Sequence, residues 1–279
     1  MSAPAKSAPA VPSTVTDDSA LLPAVVEVAE RIGARVLARY SPGARPVTRE
    51  DIMSRFGPME EEAAEGVQPA LAAIRPQATW LGEDEEEQHQ GGLPAGEWWV
   101  SDLVEGAINH LHGLTEWGTT ITLVRDNEPV LGVVHQPLGN VTHTAVRGGG
   151  AFRNGTRLRA SAKTDLKVAM TTTSQDGGED QAQRRHMAQA FAAMLGNALL
   201  VRSTVPTTFP LLGVAAGQYD AYWQFQPEMS GVGAGVLLAT EAGAIATDLY
   251  GRTWRPGADL LVAAPGVHAA ALNVLSSTA

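Results

Sequence analysis

Residues that could do chemistry are concentrated between positions 99 and 113, which read Trp-Val-Ser-Asp-Leu-Val-Glu-Gly-Ala-Ile-Asn-His-Leu-His-Gly. The apolar run 97–100 is typical of a buried strand, so Asp102 should stand where that strand reaches a sheet edge. Glu105 follows, and Gly106 opens a helical pattern whose free N–H groups favour an anion. The segment predicts acid–base chemistry on an oxyanion, although an acidic cap on an ordinary amphipathic helix would give the same local pattern.

The segment resembles the central metal and phosphate motif of the inositol monophosphatase family, Trp-x-x-Asp-Pro-Ile/Leu-Asp-Gly-Thr-x-Asn-Phe. Asp102, Gly106 and Asn109 match the motif. Four positions depart from it, with Leu103 for Pro, Glu105 for the second Asp, Ala107 for Thr and His110 for Phe. The resemblance implies an inherited scaffold whose chemistry has been altered.

Further landmarks of the family follow in order along the chain. Asn154-Gly155 is itself a strong hairpin signal. The other matching stretches are 132–137, 145–155, 158–161, 202–204, 214–217 and 241–243. The resemblance spans roughly residues 20–270. It implies a mixed α+β and α/β fold, layered αβαβα as in inositol monophosphatases and fructose-bisphosphatases, with the site in a cleft between two halves.

The family binds magnesium through carboxylates and one backbone carbonyl, and the resemblance assigns these ligands to particular residues. Glu83, in Gly-Glu-Asp, would be the ligand from an acidic loop, and Asp102 would bridge the metal positions. The carbonyl would be that of Val104. Glu105 keeps the charge of the family's aspartate but is one methylene longer, which changes its reach in an octahedral site.

The family's last metal ligand is the aspartate of a Trp-Asp pair, which falls on Ser230-Gly231 when counted from Asp220 or back from 241–243. A glycine carries no ligand atom. Glu228 could in principle replace the lost carboxylate, but in an extended loop it would point elsewhere. We therefore expect no bound metal, with Glu83, Asp102, Val104 and Glu105 as residual candidates.

Two further departures concern water activation and substrate recognition. Ala107 lacks the hydroxyl that orients the attacking water in the family. The partner motif, Asp-x-Val-Thr-x-x-Asp, begins here with Arg45 but keeps Thr48 and Asp51. Gln224 occupies the position of the acidic residue that faces inositol hydroxyls. The substrate is then predicted not to be inositol phosphate.

These assignments give two groups of candidate residues. The predicted catalytic residues are Asp102, Glu105, Asp51 and Glu83. The predicted substrate or oxyanion contacts are Gly106, Ala107, Thr48, Arg45 and Gln224. Mutual repulsion between Asp102 and Glu105 should raise the pKa of one of them towards neutrality.

Three functions are open on the sequence alone. The changes at Ala107 and Gly231 weaken hydrolysis but keep the carboxylates and the anion site, so the sequence favours metal-independent elimination or intramolecular cyclisation. Such an enzyme would release phosphate or sulfate from a small-molecule ester, for example in specialised biosynthesis, and would need no cofactor. The alternatives are a Mg²⁺-dependent small-molecule phosphatase and a catalytically silent subunit of a heteromer.

Composition limits the class of protein and its partners. The chain has 279 residues, a net charge of −10, 44% hydrophobic residues and no cysteine. This charge argues against nucleic acid or anionic membrane as a partner. We expect a cytoplasmic protein that acts on a small ester and forms a homodimer, or a heteromer with a related subunit.

The apolar spacing predicts long helices over 19–40 and 60–74 and a strand meander over 118–159. A strand–helix alternation should follow, with its last helix over 233–242. The expected domains are a disordered tail at 1–17, an N-terminal half at 18–163 and a C-terminal half at 164–279.

Overall fold

The computed structural model describes residues 15–81, 86, 89, 91–174 and 181–278. Helix α1 spans Val15–Arg39 and begins inside the segment predicted as a tail. Residues 1–14 lie outside the described residues. Much of the acidic loop lies outside them too, including the predicted ligand Glu83.

The prediction of one helix over 60–74 is wrong, because two helices occupy this region. Helix α2 spans Arg49–Ala64 and helix α3 spans Val67–Ile74. Gly66, between them, has a left-handed backbone with φ of 70°. A left-handed residue cannot continue a right-handed helix, so the chain changes direction there.

Among the residues that the structure describes, the first half forms a seven-stranded sheet in sequential order. Its strands are β1 (Thr79–Trp80), β2 (Glu97–Glu105), β3 (Gly118–Arg125), β4 (Glu128–Gln136), β5 (Val141–Val146), β6 (Gly150–Arg153) and β7 (Thr156–Arg157). Strand β1 pairs in parallel with β2, and the remaining neighbours are antiparallel. A five-residue helix, α4 (Ala107–Leu111), follows β2. The predicted meander is thus confirmed.

The second half contains a five-stranded sheet and four helices among the described residues. Its strands are β8 (Met170–Thr173), β9 (Leu200–Ser203), β10 (Ala221–Gln224), β11 (Ile245–Thr247) and β12 (Leu260–Ala263), in the spatial order β11-β12-β10-β8-β9. The helices are α5 (Gln181–Leu195), α6 (Thr208–Ala215), α7 (Met229–Glu241) and α8 (Pro265–Ser276). Helix α7 begins four residues before the predicted start at 233, which matters for the site.

The helices and sheets alternate in five layers. Helices α1–α3 pack on the outer face of the first sheet, α6 and α7 lie between the sheets, and α5 and α8 cover the second sheet. Helix α7 lies close to the first sheet because Gly132 of β4 leaves room, and a Cβ there would stand 3.1 Å from Cα of Ala234. The predicted layered αβαβα fold is confirmed.

All strands of the first sheet lie within residues 79–157, and those of the second within 170–263. The expected boundary between the halves, near residue 163, falls between these two sets of strands. Among the described helices, none combines the length and the apolar character that crossing a bilayer requires.

Candidate active site

A cleft of about 1150 Å³ opens where the end of β2 meets the starts of helices α6 and α7. Six of the sequence-predicted residues line it, namely Asp102, Val104, Glu105, Gly106, Ala107 and Gln224. Ser230 and Gly231 of α7 line it as well. The structure therefore brings the end of the central motif to the position where the last family ligand is missing.

A bulge at the end of β2 presents the acidic residues. Asp102 is opposite Thr120 on β3 and Glu105 is opposite Gly118, so β2 carries one extra residue between these pairs. Oδ1 of Asp102 accepts a hydrogen bond of 3.0 Å from the backbone N–H of Val104. The bulge places both carboxyl groups and the intervening backbone on the same cleft.

Glu105 is held in a fixed position at the base of the cleft. It is only 2% exposed, and its Oε1 accepts a hydrogen bond of 2.8 Å from the backbone N–H of Thr208. The hydroxyl of Thr208 donates to the carbonyl oxygen of Gly231 at 2.7 Å. The first residue of α6 thus connects Glu105 directly to the start of α7.

Burial raises the pKa of Glu105, while hydrogen bonds with Asp102 and with the N–H groups at the start of α6 oppose that rise. A raised pKa for one of the two acids agrees with the sequence-based expectation. The main cause differs, because loss of solvation in the buried site outweighs any other effect on this carboxyl.

Gly106 is required by the backbone rather than by a ligand. Its φ is 84°, and a Cβ would stand 2.7 Å from the carbonyl oxygen of Glu116 and 2.8 Å from Cγ of Pro206. Its missing side chain therefore faces protein atoms, so packing explains the glycine, and its predicted contact with an oxyanion stays a prediction. Because α4 has only five residues, its dipole is also small.

The start of α7 has room for the carboxylate that the family carries there. A Cβ on Gly231 would lie 3.6 Å from Cβ of Thr207, an ordinary contact, and the backbone of Gly231 has no left-handed φ. The carboxylate of Glu86 accepts a hydrogen bond of 3.1 Å from the backbone N–H of Ser230. Glu228 occupies the N-cap position of α7 with an extended backbone and no side-chain cap hydrogen bond, and it lines the cleft, so its exclusion as a metal ligand stays a prediction.

Three predicted residues lie outside the cleft lining, at the start of α2. Thr48 caps the helix by accepting a hydrogen bond from the backbone N–H of Asp51 at 3.1 Å. Asp51 accepts from the N–H of Val47 and forms an ion pair with Arg55. The guanidinium of Arg45 donates to backbone carbonyls, including that of His112 at 2.8 Å. In this geometry Thr48 and Asp51 stabilise the start of α2, and Arg45 holds the preceding loop through hydrogen bonds to backbone carbonyls.

Gln224 lines the cleft and accepts a hydrogen bond through its Oε1 from the hydroxyl of Tyr222. Burial raises the pKa of Tyr222, which keeps its hydroxyl protonated and available as a donor. With its oxygen engaged, Gln224 has its amide N–H groups left to offer to a ligand.

Among the described residues, the lysine, arginine, aspartate and glutamate side chains that line the cleft are all acidic. Five acidic residues line it and, among the described lining residues, no lysine or arginine does. The acidic residues are Glu60, Glu86, Asp102, Glu105 and Glu228. A phosphate or sulfate ester would therefore meet repulsion unless cations neutralise this charge.

The oxygen atoms available in the cleft are of the kind that a hard divalent cation prefers, but they are few. Asp102, Glu105 and the Val104 carbonyl are oxygen donors on one cleft wall, and oxygen ligands are those that Mg²⁺ prefers. Within the described ranges, no group of three acidic or histidine side chains could hold a metal by itself. Water, substrate oxygens or Glu83 would have to complete the coordination.

Several residues that line or support the cleft could not be identified from the sequence, because they come from segments that only the fold brings together. Thr208 fixes Glu105 across 103 residues of chain, and Glu86 reaches Ser230 across 144. Ser101 is 7% exposed, and its hydroxyl has no hydrogen-bond partner among the described residues. In the sequence, only the run of acidic residues around Glu86 indicated a role for this residue, and it did not indicate that Glu86 binds Ser230.

Comparison with known protein sequences identifies relatives over most of the chain. The sequence profile of the inositol monophosphatase family matches residues 17–278. An inositol-1-monophosphatase from Rhizobium meliloti is 31% identical over 198 residues, covering 69% of this chain and 71% of the relative. Nus factor SuhB from Pseudomonas aeruginosa is 29% identical over 206 residues, covering 74% of this chain and 76% of the relative.

Solved structures show the same fold. The structure of an inositol monophosphatase from Zymomonas mobilis matches with a TM-score of 0.78, covering 94% of this chain and 99% of the other. The two chains are 19% identical, so this likeness bears on the fold alone.

Proposed function

Because the chain belongs to the inositol monophosphatase family, we propose that it is a Mg²⁺-dependent phosphatase that hydrolyses a phosphate monoester of a small molecule. The observation that carries this proposal is the charge of the cleft, in which five acidic residues and, among the described lining residues, no lysine or arginine surround the space for the ester. An anionic ester binds there only together with cations.

The same charge argues against metal-independent elimination or cyclisation, the function that the altered motif favoured. That chemistry needs donors that stabilise a leaving phosphate or sulfate without a metal. The two longer helices that begin at the cleft already bind protein carboxylates, since α6 holds Glu105 and α7 holds Glu86. The N–H groups of Thr208 and Ser230 at these N-termini are therefore engaged by the protein's own carboxylates rather than by a leaving anion.

The residues that would hold Mg²⁺ are Asp102, Glu105 and the Val104 carbonyl, with Glu83 as the ligand that the family likeness adds. When bound, the ion supplies positive charge that stabilises the phosphoryl oxygens in the transition state. Glu86 binds the N–H of Ser230, the residue before Gly231 in α7. Its carboxylate therefore replaces part of the negative charge that the family's aspartate would supply at position 231.

The chain's own groups then position the reaction. Thr208 fixes the carboxylate of Glu105, the β2 bulge fixes that of Asp102, and Gln224 offers N–H donors to the organic part of the ester. Ala107 brings no hydroxyl, so orientation of the attacking water falls to the carboxylates that line the cleft.

The test is hydrolysis of 4-nitrophenyl phosphate by the purified full-length chain with millimolar MgCl₂, with a chelator, and with 4-nitrophenyl sulfate in place of the phosphate. We expect phosphate release that requires Mg²⁺ and none from the sulfate ester. Release of either anion at full rate in the chelator would overturn the proposal in favour of metal-independent chemistry. Mg²⁺ binding without turnover of any ester would favour the silent subunit.

A further inference from the structure

One lip of the cleft is apolar and exposed. Ile108 of α4 is 52% exposed and Val205, in the loop before α6, is 51% exposed, and both line the cleft. Phe56 of α2 lines it beside them, and helices α2 and α4 are in contact. We call Phe56, Ile108 and Val205 the apolar lip.

The apolar lip is held by specific contacts. The side-chain amide of Asn109 donates to the carbonyl oxygen of Val205 at 3.0 Å and to that of Glu116 at 2.8 Å. This pair of bonds ties the loop of Val205 to α4, so Val205 and Ile108 stay next to each other. Both nevertheless leave about half of their surface exposed and line the cleft, and exposed apolar surface that is contiguous is typical of a binding site.

Polar and acidic residues line the cleft next to the apolar lip. Asp102 and Glu105 lie on the β2 side, and Gln224 and Gln226 lie at the end of β10. The whole space, about 1150 Å³, is at the upper end of the range for pockets that enclose drug-sized ligands. A phosphate group with a small polyol would leave the apolar lip in water.

We propose that the substrate is the phosphate monoester of an alcohol or phenol with a large apolar or aromatic group, which packs on Phe56, Ile108 and Val205. The proposal rests on the proposed function for the phosphate end and adds the class of the organic group. The occupant is the substrate itself, since the apolar lip is continuous with the wall that carries Asp102 and Glu105.

The experiment compares 1-naphthyl phosphate with glycerol 2-phosphate as substrates for the wild type and for Ile108→Ser and Val205→Ser. Both replaced side chains are half exposed, so the variants should fold, and thermal unfolding verifies this. An aryl phosphate has a better leaving group than an alkyl phosphate, so the wild-type ratio of kcat/KM for the two esters is the reference value, and the change in this ratio in each variant is the test. Each variant should lose about fivefold on the naphthyl ester and stay within about twofold on the glycerol ester.

Leu199→Ser is the matched control, because Leu199 is 65% exposed and does not line the cleft. It should leave both esters unchanged. Equal loss in all three variants, or an unchanged ratio in Ile108→Ser and Val205→Ser, would overturn the inference while leaving the phosphatase intact.

Binding of 1-naphthyl sulfate with MgCl₂, followed by naphthyl fluorescence, gives a readout that does not need turnover. Weaker binding in Ile108→Ser and Val205→Ser than in Leu199→Ser supports the apolar lip even if no ester is hydrolysed, which would then count against the proposed function alone. If these variants change the oligomeric state by light scattering but not probe binding, the lip is a protein contact and the inference fails.

Discussion

The cleft and the packed core of the first half both contain buried polar side chains, but those of the cleft are acidic and those of the core include uncharged histidines. The cleft holds carboxyl groups at a strand end and at helix starts, with Glu105 2% exposed. The core holds neutral histidines, among them His110 and His143, each at most 5% exposed. Acidic groups next to an open space serve binding, whereas histidines enclosed by packing affect folding. Changes in the two regions should therefore have separate effects.

The histidines of the core are held uncharged by their surroundings. Burial lowers the pKa of His110, of His135 and of His143, the last to about 4. His110 packs against Tyr40 and Trp117 with its Nε2 2.9 Å from the carbonyl oxygen of Val36. It occupies the phenylalanine position of the family motif and behaves as a core residue.

The largest expected effect is on catalysis. Asp102→Asn keeps the side-chain shape and can still accept the hydrogen bond from Val104, but it removes a charge from the acidic wall. We expect kcat/KM for a phosphate ester to fall by about a thousandfold with little change in unfolding temperature. Asp51→Asn, at the start of α2, is the control and should change activity by less than about twofold.

A loss of activity in Asp51→Asn that matches Asp102→Asn would break the comparison. It would mean that the start of α2 reaches the reacting ester, as the family motif implied.

The second effect is on stability in acid. The folded-state pKa of His143 is about 4 and its unfolded value is about 6.5, so the unfolded chain binds more protons between these values. The contribution of the uncharged His143 to the free energy of unfolding is therefore fully present above about pH 6.5 and is lost as the pH falls towards 4. We expect this histidine alone to cost about 2 kcal/mol between pH 7 and pH 5, measured by urea unfolding at each pH.

His143→Gln should flatten that pH dependence and leave the activity at pH 7.5 within about twofold. If the variant loses stability equally at pH 7 and pH 5, packing rather than titration explains the role of His143.

The third effect is on metal affinity. Gly231→Asp adds a carboxylate where the side chain fits without strain, so Mg²⁺ should bind about tenfold more tightly in calorimetry. Gly231→Asn has nearly the same volume without the charge and should leave the affinity within about twofold of the wild type. Equal affinities for the two variants would show that the start of α7 does not contact the metal.

The smallest effect is on the cap of α2. Thr48→Ala removes the hydroxyl that accepts from the N–H of Asp51, and we expect a loss of about 1 kcal/mol in unfolding free energy with unchanged activity. Thr48→Ser keeps the hydroxyl and should retain the stability. A drop in activity without a drop in stability would return Thr48 to the site.

The fold and the cleft wall formed by β2 could be predicted from the amino-acid sequence. Alternating and helical apolar patterns are local, so the meander and helix 181–195 could be predicted, and the motif around Asp102 identified the family. Two helix boundaries were predicted wrongly. The chain breaks at Gly66 inside the predicted helix 60–74, and α7 begins one turn before the predicted start at 233. Such boundaries depend on backbone conformations that a pattern of residue types describes poorly.

Which segments meet at the cleft depends on how the layers pack. Glu86 lines the cleft and reaches Ser230 across 144 residues of chain, and the buried Thr208 supports Glu105 across 103, while Thr48 and Asp51 do not line it. The absence of lysine and arginine among the described lining residues, which turned the argument towards a cation, is likewise a property of the assembled cleft. The physical reason is that electrostatic repulsion depends on distances in space, and those are set by the packing of layers far apart in sequence.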